Sequence, residues 1–224
     1  MHSRSAEERR AELVELYREA AVCARCPLSK TRTKVVFGAG NADADLMFVG
    51  EAPGVHEDQQ GLPFVGRAGQ LLNKLLEEIG MSRDDVFIAN VLQSRPPGNR
   101  DPQTDEIDAC KPFLHRKIEL IEPKAVCTLG NFSTKLLTRS QRGITSVHGR
   151  PQVHELGGRL LRVYPLYHPA AALRSTKTLD ELREDFARLP ALLEEPPPVP
   201  IGAVAPVAAV AAEPAEPAPP TLFE

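Results

Sequence analysis

Long apolar runs and cysteines are scarce in this chain of 224 residues, and positive charge is missing from its last stretch. No apolar run is long enough to span a bilayer, and the start, MHSRSAEERR, carries no apolar signal core. Neither a membrane span nor export is therefore expected; the expected place is the cytoplasm, near the nucleoid. Four cysteines are too few for a disulfide scaffold, and a cytosolic protein is not expected to form one. After Leu193, proline and alanine dominate and lysine and arginine are absent. Such a segment cannot bury enough apolar surface to offset its ordering entropy, so 194–224 is expected to be a disordered tail behind a domain at 1–193. The tail holds five acids, Glu194, Glu195, Glu213, Glu216 and Glu224. Without them the chain changes from a net −3 to about +2, a balance that permits nucleic-acid binding.

What is present supports one core of ordinary size, from 42% hydrophobic residues. Ser5 followed by Glu8 reads as a capping box opening a helix to about Ala21. Apolar runs at 45–49, 86–92, 124–129, 151–155 and 160–166 read as strands. Between them, leucines at helical spacing over 66–80 and the stretches 104–121 and 179–193 read as helices, with a short one after Gly130. The alternation predicts a three-layer α/β/α fold around a central, mostly parallel four-stranded sheet. Ligands in such sheets sit beyond the carboxyl ends of the strands. Three motifs fall there: GEAPG (50–54), NVLQSRPPGNRDP (90–102) and Tyr167-His168-Pro169. An amide at a strand end, Asn90, can read a base edge, and arginines beside it can hold phosphates.

With Gly61-Leu-Pro-Phe-Val-Gly-Arg-Ala-Gly69 added, these motifs make the chain resemble family 4 of the uracil-DNA glycosylases, the iron–sulfur branch of that superfamily, from about Cys23 to Leu193. The resemblance implies base flipping and release of uracil from DNA, leaving an abasic site, with no metal needed for the chemistry. Phe64 would stack on the flipped ring, Asn90 would match its N3–H and O4, and Gly50 would let the backbone approach it. His168 would stabilise the charge that accumulates on uracil O2, and Glu51 would orient water. Glu57 would exclude the thymine methyl. Phe64, Asn90, His168 and Glu57 each have a plainer alternative: a core phenylalanine, a strand-end turn, a His-Pro turn and a solvated loop acid. Arg95, Arg100, Arg150, Arg174 and Lys177 are expected on the DNA backbone, with Leu173 as a wedge. No insert and no histidine interrupts 93–100, so turnover is expected rather than a cross-link to the product.

The same resemblance implies a [4Fe–4S] cluster on four cysteines. Cys23, Cys26 and Cys110 fit, but the position before RPP is Ser94. A compromised or three-cysteine cluster, no metal, or a site completed by Cys127 all remain open, and zinc would suit the four cysteines as well. At the far end, Leu222-Phe223 loosely resembles a sliding-clamp peptide. The expected functional unit is a monomer. A non-catalytic binder of uracil or abasic DNA is the alternative in another class.

Overall fold

Every residue of Leu46–Gly50 and of Ala125–Leu129 is buried, as expected of strands covered on both faces. They form the centre of one six-stranded sheet in the computed structural model, which describes residues 4–199. In chain order the strands are β1 (Ala39–Gly40), β2 (Leu46–Gly50), β3 (Phe87–Asn90), β4 (Ala125–Leu129), β5 (Gln152–Leu156) and β6 (Arg159–Leu166). Their spatial order is β1-β3-β2-β4-β6-β5. The central four run parallel, and β1 and β5 close the two edges antiparallel.

Strand alternation divides the core in two. Met47, Val49, Phe87, Ala89 and Val126 face α1 (Ala6–Ala21) and α4 (Thr104–Ile121), meeting Leu13, Phe113, Leu114 and Ile118. Leu46, Phe48, Ile88, Ala125, Cys127 and Leu129 face the opposite way. They meet the leucines of α3 (Arg67–Glu78) and Leu182 and Phe186 of α8 (Thr176–Ala187). Shorter helices fill the connections: α2 (Val55–Gln60), α5 (Asn131–Thr138), α6 (Ile144–Val147), α7 (Pro169–Ala172) and α9 (Leu189–Glu194). The expected three layers are present, and the Ser5–Glu8 capping box forms as read from the sequence.

Four features differ from expectation. The helix expected over 179–193 is two helices that begin earlier, with Ser175 capping α8 and a break at Arg188; Pro190 sits in the first turn of α9, where its missing N–H costs nothing. β1 has only two residues and no apolar period to betray it. Its Gly40 has φ +120°, and a Cβ there would overlap the Val86 carbonyl. After Val55, α2 is polar (VHEDQQ), so periodicity gave no signal. Cys127 lies on the sheet face opposite Cys110, fully buried against α3 and α8, so a site completed by Cys127 is ruled out by strand alternation.

Among the described residues no helix is long and apolar enough to cross a membrane. After α9 the chain still touches the sheet, where Arg162 of β6 pairs with Glu195 at 2.8 Å and donates to the Pro196 carbonyl at 2.6 Å. Most of the expected tail, with Leu222 and Phe223, lies outside the described residues.

Candidate active site

The parallel register of β2 and β3 sets Gly50 opposite Asn90, each the last residue of its strand. Asn90 is 2% exposed, and its Oδ1 is a buried oxygen with no hydrogen-bond partner. Leaving such an acceptor dry costs about 1–3 kcal/mol unless a ligand donor meets it. Gly50 is required by close approach rather than by backbone conformation. A Cβ there would stand 2.6 Å from Phe64 Cζ, and nearer still to Asn90 Oδ1.

Phe64 closes the slot from a loop between α2 and α3, with φ 51°, a left-handed conformation rare for a bulky side chain. Its ring stacks toward His168, with centroids 5.7 Å apart and planes inclined by 29°. His168 caps α7, and its Nδ1 accepts the Ala170 N–H at 3.1 Å. In the neutral ring that contact leaves the proton on Nε2. Burial pushes the imidazole pKa down to about 4, so the neutral form prevails at ordinary pH. Glu51, just beyond β2, is partly buried; burial first and then Asp101 raise its pKa above the ordinary carboxylate value. Glu51, Phe64, Asn90, His168 and Pro96 line one cleft of about 390 Å³.

The carboxylate of Glu57 also lines this cleft, but its Oε1 accepts the N–H groups of Val65 (2.9 Å) and Gly66 (2.8 Å). Of the expected DNA-binding arginines, Arg100 is committed elsewhere. Its guanidinium makes a two-point ion pair, at 2.5 and 2.9 Å, with Glu106, whose side chain is fully buried. Arg95 donates to Asn99 Oδ1 at 2.6 Å, so both arginines brace the RPPGNR loop itself. Arg174 is exposed and makes no ion pair among the described residues; Lys177 reaches Glu181 at 3.8 Å. Arg150 is exposed too, but lies in a separate depression with His148 and Arg188. Leu173 is 41% exposed just after α7. His148 bonds Asp185 Oδ2 at 2.7 Å and packs on the Tyr167 ring at 4.4 Å, bracing the strand end before His168. Sequence reasoning missed this bracing role, and it missed Arg83, which grips the Phe64 loop from a polar turn with no distinguishing pattern.

All four cysteines are free thiols. Cys23, Cys26 and Cys110 share the α1–α4 side of the sheet. Burial raises the Cys110 pKa, opposed by a hydrogen bond from the Gln93 backbone, with the nearby Cys26 and Cys23 adding to the rise. At the fourth corner Ser94 is buried and accepts from Arg32 Nη1 at 3.5 Å. Three thiols and one alcohol do not fit a four-thiolate cluster. Among the described residues no three His, Cys, Asp or Glu side chains group as ligands for a single metal ion, and Cys127 on the far face cannot join Cys23, Cys26 and Cys110 in a four-cysteine zinc site.

Phe64 and Asn90 thus bring an aromatic ring and a buried, partnerless acceptor to one cleft. Residues 37–189 match the uracil DNA glycosylase superfamily. The chain is 45% identical over 189 residues to a type-4 uracil-DNA glycosylase of Sulfurisphaera tokodaii, covering 82% of this chain and 86% of the relative. A type-4 enzyme of Thermotoga maritima is 45% identical over 176 residues, covering 78% and 89%. A type-5 enzyme of Pyrobaculum aerophilum is 31% identical over 169 residues, covering 68% and 74%. The chain belongs to the uracil DNA glycosylase superfamily, and its type-4 relatives match it more closely than this type-5 one.

Two outcomes are expected. Arg100→Ala strands the buried Glu106 carboxylate, so thermal denaturation should show a melting temperature several degrees lower, while Arg174→Ala leaves it unchanged. Ser94→Cys should raise the iron bound per chain in anaerobically purified protein, and Cys127→Ala should not alter it. Iron lost with Cys127 would contradict its place on the far face.

Proposed function

We propose that this chain is a monofunctional uracil-DNA glycosylase acting through the cleft at the ends of β2, β3 and β6. The observation that carries the reading is the buried, partnerless Oδ1 of Asn90, packed beside the Phe64 ring where only glycine fits at position 50. Uracil N3–H supplies the missing donor; cytosine presents an acceptor at that position and leaves the oxygen unpaired. The base must first leave the duplex stack, and Phe64 gives it a new stacking face.

As the glycosidic bond breaks, negative charge grows on uracil O2. The Nε2–H of His168, held as a donor by the Ala170 contact, stabilises it without any change in protonation. Water then attacks C1′, oriented by Glu51, and the abasic product leaves. Leu173, exposed just after α7, would fill the vacated stack, with Arg174 and Lys177 on the flanking phosphates. Arg150, in its separate depression, would reach more distant backbone. A monomer remains the expected functional unit. Cys23, Cys26 and Cys110 offer three thiolates and Ser94 no fourth, so no step is assigned to a cluster. Any held there ties α1 to α4. The cytoplasm remains the expected place of action.

Asn90→Ala and His168→Ala are each expected to lower uracil excision by about two orders of magnitude or more while circular dichroism stays unchanged. Near-normal rates would dismiss the site. With its pKa near 4, His168 should give no activity limb at the ordinary histidine value of 6.5. The acid limb belongs to Glu51, lies above 4.5, and should vanish in Glu51→Gln. Because His168 binds its proton more weakly folded than unfolded, unfolding takes up a proton between these two values. Stability should therefore fall as pH drops from about 6.5 toward 4, and chemical denaturation across that window reads it directly.

A further inference from the structure

Phe64 carries more constraint than stacking in a cleft requires. It is a bulky residue with φ 51°, a conformation that persists only where the surroundings over-determine it. Three groups do so here. Arg83, partly buried and without an acidic partner among the described residues, donates through Nη1 to the Phe64 carbonyl at 2.9 Å and through Nη2 to the Pro63 carbonyl at 2.7 Å. Asn73 on α3 holds the same guanidinium, accepting from Nη1 at 3.2 Å. Glu57 accepts the next two N–H groups, those of Val65 and Gly66. Gly69 completes the seat, since a Cβ there would overlap the Phe64 carbonyl.

A planar fork reaching the Pro63 and Phe64 carbonyls fixes the two peptide planes that flank the Phe64 Cα. The Glu57 carboxylate holds the second of these planes through the Val65 N–H, and the following plane through the Gly66 N–H. Between them the Cα of Phe64 has no freedom to relax to an extended conformation, which would swing its ring away from Gly50 and His168. We propose that Arg83 and Glu57 are positioning residues for uracil binding, two jaws of a backbone clamp that holds Phe64 left-handed and its ring over the slot. Neither has to touch the substrate for this. The inference rests on Phe64 being the stacking face and adds what puts it there.

The test compares Phe64→Leu, Arg83→Met, Arg83→Lys and the double variant Phe64→Leu/Arg83→Met. Each is measured for excision kinetics on a single-uracil oligonucleotide, inhibition by free uracil and melting temperature. Arg83→Met should raise KM and the uracil inhibition constant by about tenfold with kcat changed far less, the pattern of lost binding rather than lost chemistry. Arg83→Lys, with one donor head for two carbonyls, should recover part of that loss. The double variant should be no worse than Phe64→Leu alone, because Arg83 acts only through that ring. Losses that add in the double variant, or an Arg83→Met enzyme with lowered melting temperature and ordinary KM, would overturn the clamp. Unchanged KM and uracil inhibition in Phe64→Leu would instead defeat the stacking reading itself, so the two failures are told apart. Should Arg83→Met not fold, Asn73→Ala takes its place: it loosens the same guanidinium and should raise KM in the same direction, and an unchanged KM there overturns the proposal.

Discussion

The site depends on one register, the parallel pairing that sets Gly50 of β2 against Asn90 of β3. A shift of one residue would turn Asn90 into the core and bring an apolar side chain to the slot. That register is held by burial on both faces: Met47, Val49, Phe87 and Ala89 on one side, Leu46, Phe48 and Ile88 on the other. Two backbone bonds just beyond the strands extend it, from Val91 N–H to the Gly50 carbonyl and from Leu92 N–H to that of Glu51, each 3.0 Å. The hydrophobic core thus places an amide in a dry position where its oxygen meets no donor among the described residues.

Dryness also governs the second half of the site. The burial that lowers the pKa of His168 keeps it a neutral donor, and the Ala170 N–H decides which nitrogen donates. A neutral donor in a low-dielectric cleft supports a leaving anion well without offering it a proton. Burial likewise raises the pKa of Glu51, which lines the same cleft. Opposite shifts in an acid and a base from one physical cause are what a site built around charge separation would show.

The strands and apolar helices were legible because burial imprints a period on sequence. Leu71, Leu72, Leu75 and Leu76 announce α3, and the run at 124–129 announces β4. Asn90, His168 and GEAPG stood out as polar groups and glycines at strand ends. Contacts between distant polar residues left no such imprint. Nothing local distinguishes Arg100, spent on Glu106, from an arginine free for phosphate, nor marks Arg83 as the partner of two carbonyls twenty or so residues away. Cysteine spacing made Cys127 a possible ligand, and only the alternation of β4 shows it facing α3 and α8. The edge strand β1 is defined by its pairing with β3, and α2, closed by the left-handed Gly61, carries no apolar period.

The most direct measurement is excision by the unaltered chain on an end-labelled oligonucleotide carrying one uracil, single-stranded or paired with guanine or adenine, followed by alkaline cleavage. A matched thymine substrate serves as the control. The account requires uracil-dependent cleavage with many turnovers per chain and none at thymine. Folded protein that binds the uracil strand tightly yet leaves it intact would contradict it and make this cleft a damage-binding site.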